Sequence, residues 1–109
     1  MAYEITAFDQ APWEGGGHPL ESEKTDASGS LAVLRFEPGF SDPHWCQRSH
    51  VLYGIEGVLT LDFEHQQRTL NPGQACRIES GTRHRAANRG TVPVVLFAVS
   101  DLEIRAERA

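Results

Sequence analysis

From residue 31 to residue 100 the chain reads as short alternating apolar stretches broken by turn residues. No window of useful length repeats apolar side chains with the period of an amphipathic helix. "LAVLRFE" (31–37) alternates and stops at Pro38-Gly39, and "HVLYGIEGVLTLDFE" (50–64) divides at Gly57 into two strands. The polar bend "EHQQR" leads into a short strand that ends at "NPG" (71–73). "QACRIE" (74–79) and "HRAAN" (84–88) follow, separated by "SGTR". "VPVVLFAVS" (92–100) is a nearly continuous run rich in β-branched residues, suited to a strand buried on both faces, with Pro93 near its start where a missing ladder donor is tolerated. Short strands with closely spaced turns predict an all-β chain, a sandwich or barrel.

A length of 109 residues predicts one domain. Residues 1–30 form an N-terminal arm packing on the barrel, residues 31–100 the barrel itself, and residues 101–109 a tail. Within the arm, "APWEGGGHPLESEKTDASGS" (11–30) is rich in Gly, Ser, Pro and charge and reads as irregular, with Trp13 as its anchor on the core. The net charge of −5 argues against nucleic acid and anionic membrane as partners. No apolar run approaches the roughly 18 residues of a membrane span. The start "MAYEITAFDQ" has neither a basic nor an apolar leader region, so a cytoplasmic protein is expected. There the two cysteines, Cys46 and Cys76, are free thiols or ligands rather than a disulfide.

Chemistry concentrates in "PHWCQRSHVLYGIEG" (43–57). His44, Cys46 and His50 have the same parity, so an extended segment projects all three to one face and sends Trp45, Gln47 and Val51 to the other. A fourth ligand must come from a neighbouring strand, and His84, opening "HRAAN", is placed to supply it. His65 lies in a polar bend and His18 in the arm, where solvated roles suffice.

The glycines around these residues make the chain resemble the cupins, small β-barrels that hold a metal inside the barrel. Their first motif, G-x5-H-x-H-x3-4-E-x6-G, falls on Gly39, His44, Cys46, His50 and Gly57, with Cys46 in the second histidine slot, His50 in the glutamate slot and the first gap one residue short. The second, G-x5-P-x-G-x2-H-x3-N, falls on Gly73, Glu79, Gly81, His84 and Asn88, with only the proline replaced. The chain also looks like a group of small bacterial cupins with a His-Trp-Cys signature, although Pro43 rather than an acidic residue precedes His44. The resemblance implies a single-domain, jelly-roll-like barrel of two packed antiparallel sheets, pairing as a homodimer, with His44, Cys46, His50 and His84 as metal ligands. Three nitrogens and one sulfur suit a divalent transition metal (Zn, Fe, Ni, Co or Cu) over magnesium or calcium.

Cupins include dioxygenases, isomerases, decarboxylases and lyases, and the fold does not choose among them. The leading expectation is a metal-dependent enzyme acting on a small molecule inside the barrel. Its rival is a non-catalytic metal- or ligand-binding module, such as a sensor, closed by three histidines and one cysteine. A third reading is a metal-free barrel with Cys46 as a redox-sensitive thiol. Arg77 shares parity with Ala75 and Glu79, and facing inward it would pair with Glu79 or meet an anionic ligand. Tyr53 and Phe97 are candidate pocket walls. Cys76 is expected to pack, and Arg83, Arg85 and Arg89 to balance an acidic surface.

Overall fold

Nine strands follow a single turn of 3-10 helix at Phe8–Gln10 in the computed structural model, which describes residues 2–101. The strands are β1 (Glu14–Gly15), β2 (Glu21–Thr25), β3 (Leu31–Phe36), β4 (His50–Glu56), β5 (Leu59–Phe63), β6 (Gln66–Leu70), β7 (Ala75–Ile78), β8 (His84–Ala87) and β9 (Val94–Ser100). They form a six-stranded antiparallel sheet in the order β1-β2-β3-β9-β4-β7 and a three-stranded one in the order β6-β5-β8. The expected all-β architecture is therefore what the chain adopts. Apart from Asp101, the expected tail lies outside the described residues. No helix among them is long and apolar enough to cross a membrane.

Register decides which residues face inward. Leu96 pairs with Leu34 and Gly54, and Ala98 with Ala32 and Leu52, so even-numbered positions of β3, β4 and β9 line the interior. Phe36, Leu52, Leu59, Leu61, Ile78, Val94 and Leu96 form the buried core, with Phe36 and Phe40 stacked at 4.1 Å. Phe97 pairs with Val33 and Tyr53, which puts the odd positions on the outer face. The run in β9 expected to be buried on both faces is buried on one: Val95, Phe97 and Val99 are half-buried.

Part of the stretch expected to be irregular, residues 14–15 and 21–25, is built into the sheet. All five residues of β2 pair with β3, and β1 pairs with β2. Trp13 is 39% exposed and lies under the Lys24 ammonium, 4.7 Å from its ring centre, instead of anchoring on the core. The low β-propensity of "ESEKT" hid this strand. Its inward positions, Glu21, Glu23 and Thr25, line a cavity and not a packed core.

Asn88 locks the end of β8. Its buried amide donates to the carbonyls of Phe36 and Val92, both at 2.9 Å, and its oxygen accepts the Gly90 N–H at 2.9 Å. Asn88→Ala leaves the buried Phe36 carbonyl and the part-buried Val92 carbonyl without this donor, at a cost of about 3 kcal/mol. Thermal unfolding is expected to move down by roughly 10–20 °C; an unchanged midpoint would mean the network holds nothing together.

Candidate metal centre

The ligand-bearing loop between β3 and β4 is stitched to the small sheet. Ser41 bridges to Ala87 and Cys46 to His84, with Cys46 N–H donating to the His84 carbonyl at 2.7 Å and His84 N–H to the Cys46 carbonyl at 2.9 Å. Bends at Pro43 and His44 interrupt the extended path that the parity argument required. Cys46 and His84 are thus held by backbone pairing, while His50 opens β4 on the large sheet.

The ligand atoms of Cys46, His50 and His84 all lie within 4.8 Å of one another. The Cys46 Sγ to His50 Nε2 distance is 3.6 Å. A tetrahedral ion with a sulfur at roughly 2.3 Å and a nitrogen at roughly 2.05 Å separates that pair by about 3.6 Å, so the donors fit a metal. His84 is 5% exposed, and its Nδ1–H donates to the Thr82 carbonyl at 2.8 Å, leaving Nε2 as the lone-pair donor. His50 Nδ1 is hydrogen-bonded to Ser100 Oγ at 2.9 Å, again leaving Nε2. Burial, with the neighbouring His84 and Arg48, pushes His50 down to about 4, so its imidazole is neutral near pH 7. The Arg48 backbone N–H donates to Cys46 Sγ at 3.4 Å, while the Arg48 side chain is tied to Asp101 at 3.0 Å.

These groups open into a cavity of about 460 Å³ between the sheets. Leu34, Phe36, Leu52, Leu59, Leu61 and Leu96 form much of its wall, and Trp45 lies at its side. Three carboxylates missed by the sequence reading, Glu21, Glu23 and Asp42, line it too. Glu21 is raised by burial and by the charges of Glu23 and Asp42; burial also raises Asp42, whose Oδ2 accepts the Ala86 N–H at 2.8 Å. The shared parity of Glu21 and Glu23 was the available signal. The support that Ser100 gives His50 left no trace in the sequence.

The remaining candidates fall elsewhere. His44 is an exposed residue of the cavity wall and stands outside the three-donor group. Arg77, Tyr53 and Phe97 occupy outer-face positions and none lines the cavity. Inward Cys76 and Ile78 flank Arg77, which turns its side chain to solvent. Cys46 and Cys76 are both free thiols, and Cys76 packs against the core. Arg85 and Arg83 sit over the Trp45 ring at 4.2 and 5.0 Å.

The Cupin domain family model matches residues 32–100. The tetracenomycin polyketide synthase protein TcmJ of Streptomyces glaucescens is 37% identical over 83 residues, which are 73% of this chain and 56% of that protein. The chain thus spans little more than half the length of that relative. Among solved structures, KdgF from Halomonas sp. superposes with a TM-score of 0.72 at 21% identity, covering 92% of this chain and 96% of that one. The polyketide cyclase RemF from Streptomyces resistomycificus gives 0.71 at 17% identity, covering 93% and 81%. At these identities the two superpositions speak for the fold alone.

Proposed function

Since this chain belongs to the cupin domain family, we propose that it is a metal-dependent enzyme acting on a small molecule held between its sheets. The single observation that carries the reading is the convergence of Cys46, His50 and His84 on the wall of an apolar cavity. A thiolate and two imidazoles select Zn, Fe, Co, Ni or Cu over harder ions. When bound, such a metal supplies Lewis acidity toward a ligand oxygen, and three protein donors leave it an open position.

The chain's own residues define what enters. Aliphatic side chains and the Trp45 face receive an apolar body, while Glu21, Glu23 and Asp42 accept hydrogen bonds from hydroxyl or ammonium groups. The same carboxylates repel an anion, and the one guanidinium on the wall, Arg48, is already occupied by Asp101. The ligand class is therefore a neutral or cationic, largely apolar molecule bearing oxygen. RemF, described as a polyketide cyclase, is one protein that shares this fold. We also place the protein in a reducing cytoplasm, which its two free cysteines suit, and pair it as a homodimer.

The second reading, a non-catalytic metal-binding module closed by His44, is supported by the place of His44 on the same wall. Purified protein is expected to hold about one equivalent of a transition metal per chain. Metal below a tenth of that, also after reconstitution, would sink both readings. Azide or nitric oxide binding to the Fe(II)-loaded protein supports the open site, and failure of both to bind favours the closed module.

A further inference from the structure

The turn that carries the sulfur donor is held from outside by the residues that end β9. Within the turn, the Arg48 N–H donates to Cys46 Sγ at 3.4 Å and closes residues 46–48 around the sulfur. Three contacts from elsewhere fix it. The Gly81 N–H donates to the Gln47 carbonyl at 2.8 Å, the Asp101 N–H to the Ser49 carbonyl at 3.0 Å, and Arg48 Nε to an Asp101 carboxylate oxygen at 3.0 Å. Two of the three come from one residue, Asp101, directly after β9. Its neighbour Ser100 is the partner of His50 Nδ1. The end of β9 thus reaches both half-buried donors of the cluster, His50 directly and Cys46 through Arg48.

Stability does not account for Asp101. With φ at 56°, it is the one residue other than glycine in the left-handed region among the described residues. Aspartate tolerates that conformation better than most side chains, but still at a cost. The ion pair formed there, with side chains 58% and 55% exposed, is a weak stabiliser. In that conformation the Asp101 N–H and carboxylate both address the same turn, residues 46–49.

Resting on the metal reading above, we propose that Asp101 is a positioning residue for the Cys46 thiolate: by gripping Arg48 it keeps the Arg48 N–H on the sulfur. A sulfur accepting such a bond is oriented before a metal arrives and holds its electron pairs more tightly.

Co(II) added to the full chain is the probe, because a bound thiolate gives it a charge-transfer band in the near ultraviolet. Asp101→Asn keeps a side chain that tolerates the left-handed backbone and removes the charge that grips Arg48. It is expected to bind Co(II) roughly tenfold more weakly in chelator competition. Its thiolate band should move to longer wavelength, since the sulfur has lost its N–H bond. Asp101→Gly, which keeps the backbone N–H and relieves the conformation, should do the same. Arg48→Lys replaces the fork by a single donor and should lose only about threefold. Glu37→Gln, which opens the surface pair with Arg35, should change nothing. Melting of metal-free Asp101→Asn should stay within about 5 °C of wild type. A wild type without a thiolate band would overturn the place of Cys46 among the donors, and this role with it. A wild-type band and affinity unmoved by Asp101→Asn and Asp101→Gly would overturn the positioning role and leave the metal centre standing. So would a larger fall in metal-free melting, which would make Asp101 a residue of the fold.

Discussion

His84→Ala is expected to abolish tight metal binding while the barrel remains folded. Of the three convergent donors, His84 alone is fully buried, and the Thr82 carbonyl fixes which ring nitrogen carries its proton. Its alanine variant removes a donor whose orientation was already set. Two half-buried donors would remain, one of them a thiol that must lose its proton to bind. Ser100→Ala is the graded comparison. It keeps all three donors and removes only the hydrogen bond to His50 Nδ1, so affinity should fall roughly 10–100-fold. Competition against a chromophoric chelator reads both. Free metal at about a hundred times its dissociation constant should stabilise the wild type by about 2.7 kcal/mol, and His84→Ala not at all. Equal metal affinity in wild type and His84→Ala would remove this cluster as the site.

Gly57→Ala is expected to be the most damaging single-methyl substitution in the barrel. Gly57 joins β4 to β5 at φ 70°, a left-handed conformation that costs a side-chain-bearing residue roughly 1–2 kcal/mol. A Cβ there would lie 2.4 Å from the Pro93 carbonyl oxygen and 3.0 Å from Val94 Cα. Both are backbone atoms at the start of β9, so no side chain can rotate away, and the overpacking adds roughly 1–3 kcal/mol. The sum, about 2–5 kcal/mol, is a large part of a small domain's stability. Gly73→Ala isolates the conformational part: φ is 85°, but nothing lies within 4 Å of its added Cβ. Denaturant titrations should therefore rank Gly57→Ala well below Gly73→Ala, and equal losses would show that the contact with Pro93 relaxes freely.

The strands of the barrel were legible because alternation and turn chemistry agreed. Gly39, Gly57, Gly73 and Gly81, which framed the motif spacing, all adopt positive φ. Where the structure and the pattern differ, the causes are local. Strand β2 looked like a loop because its inward side is polar, and it is polar because it walls the cavity. Parity told which residues share a face but not which face is inner. For Arg77 the apolar partners Cys76 and Ile78 at alternate positions carried that information, and they point Arg77 out. For His44 the parity itself lapsed, because the backbone bends at Pro43. Cys46, His50 and His84 come together through pairing between distant segments, which a linear pattern can only suggest.

The place of β9 has a consequence for how the molecule is made. It lies between β3 and β4 at the middle of the large sheet, yet it is the last strand among the described residues. During synthesis β3 and β4 are therefore finished long before the partner that joins them, and each waits with an unsatisfied edge. The β1-β2-β3 and β4-β7 parts of the large sheet can pair earlier, but they cannot be joined until β9 emerges. Closure is a late, long-range event, so folding should be slow for so small a domain and guarded by whatever shields nascent edges. Ribosome-stalled chains ending before Val94 are expected to be protease-sensitive at β3 and β4, with protection of both arriving in one step once residues 94–100 are free.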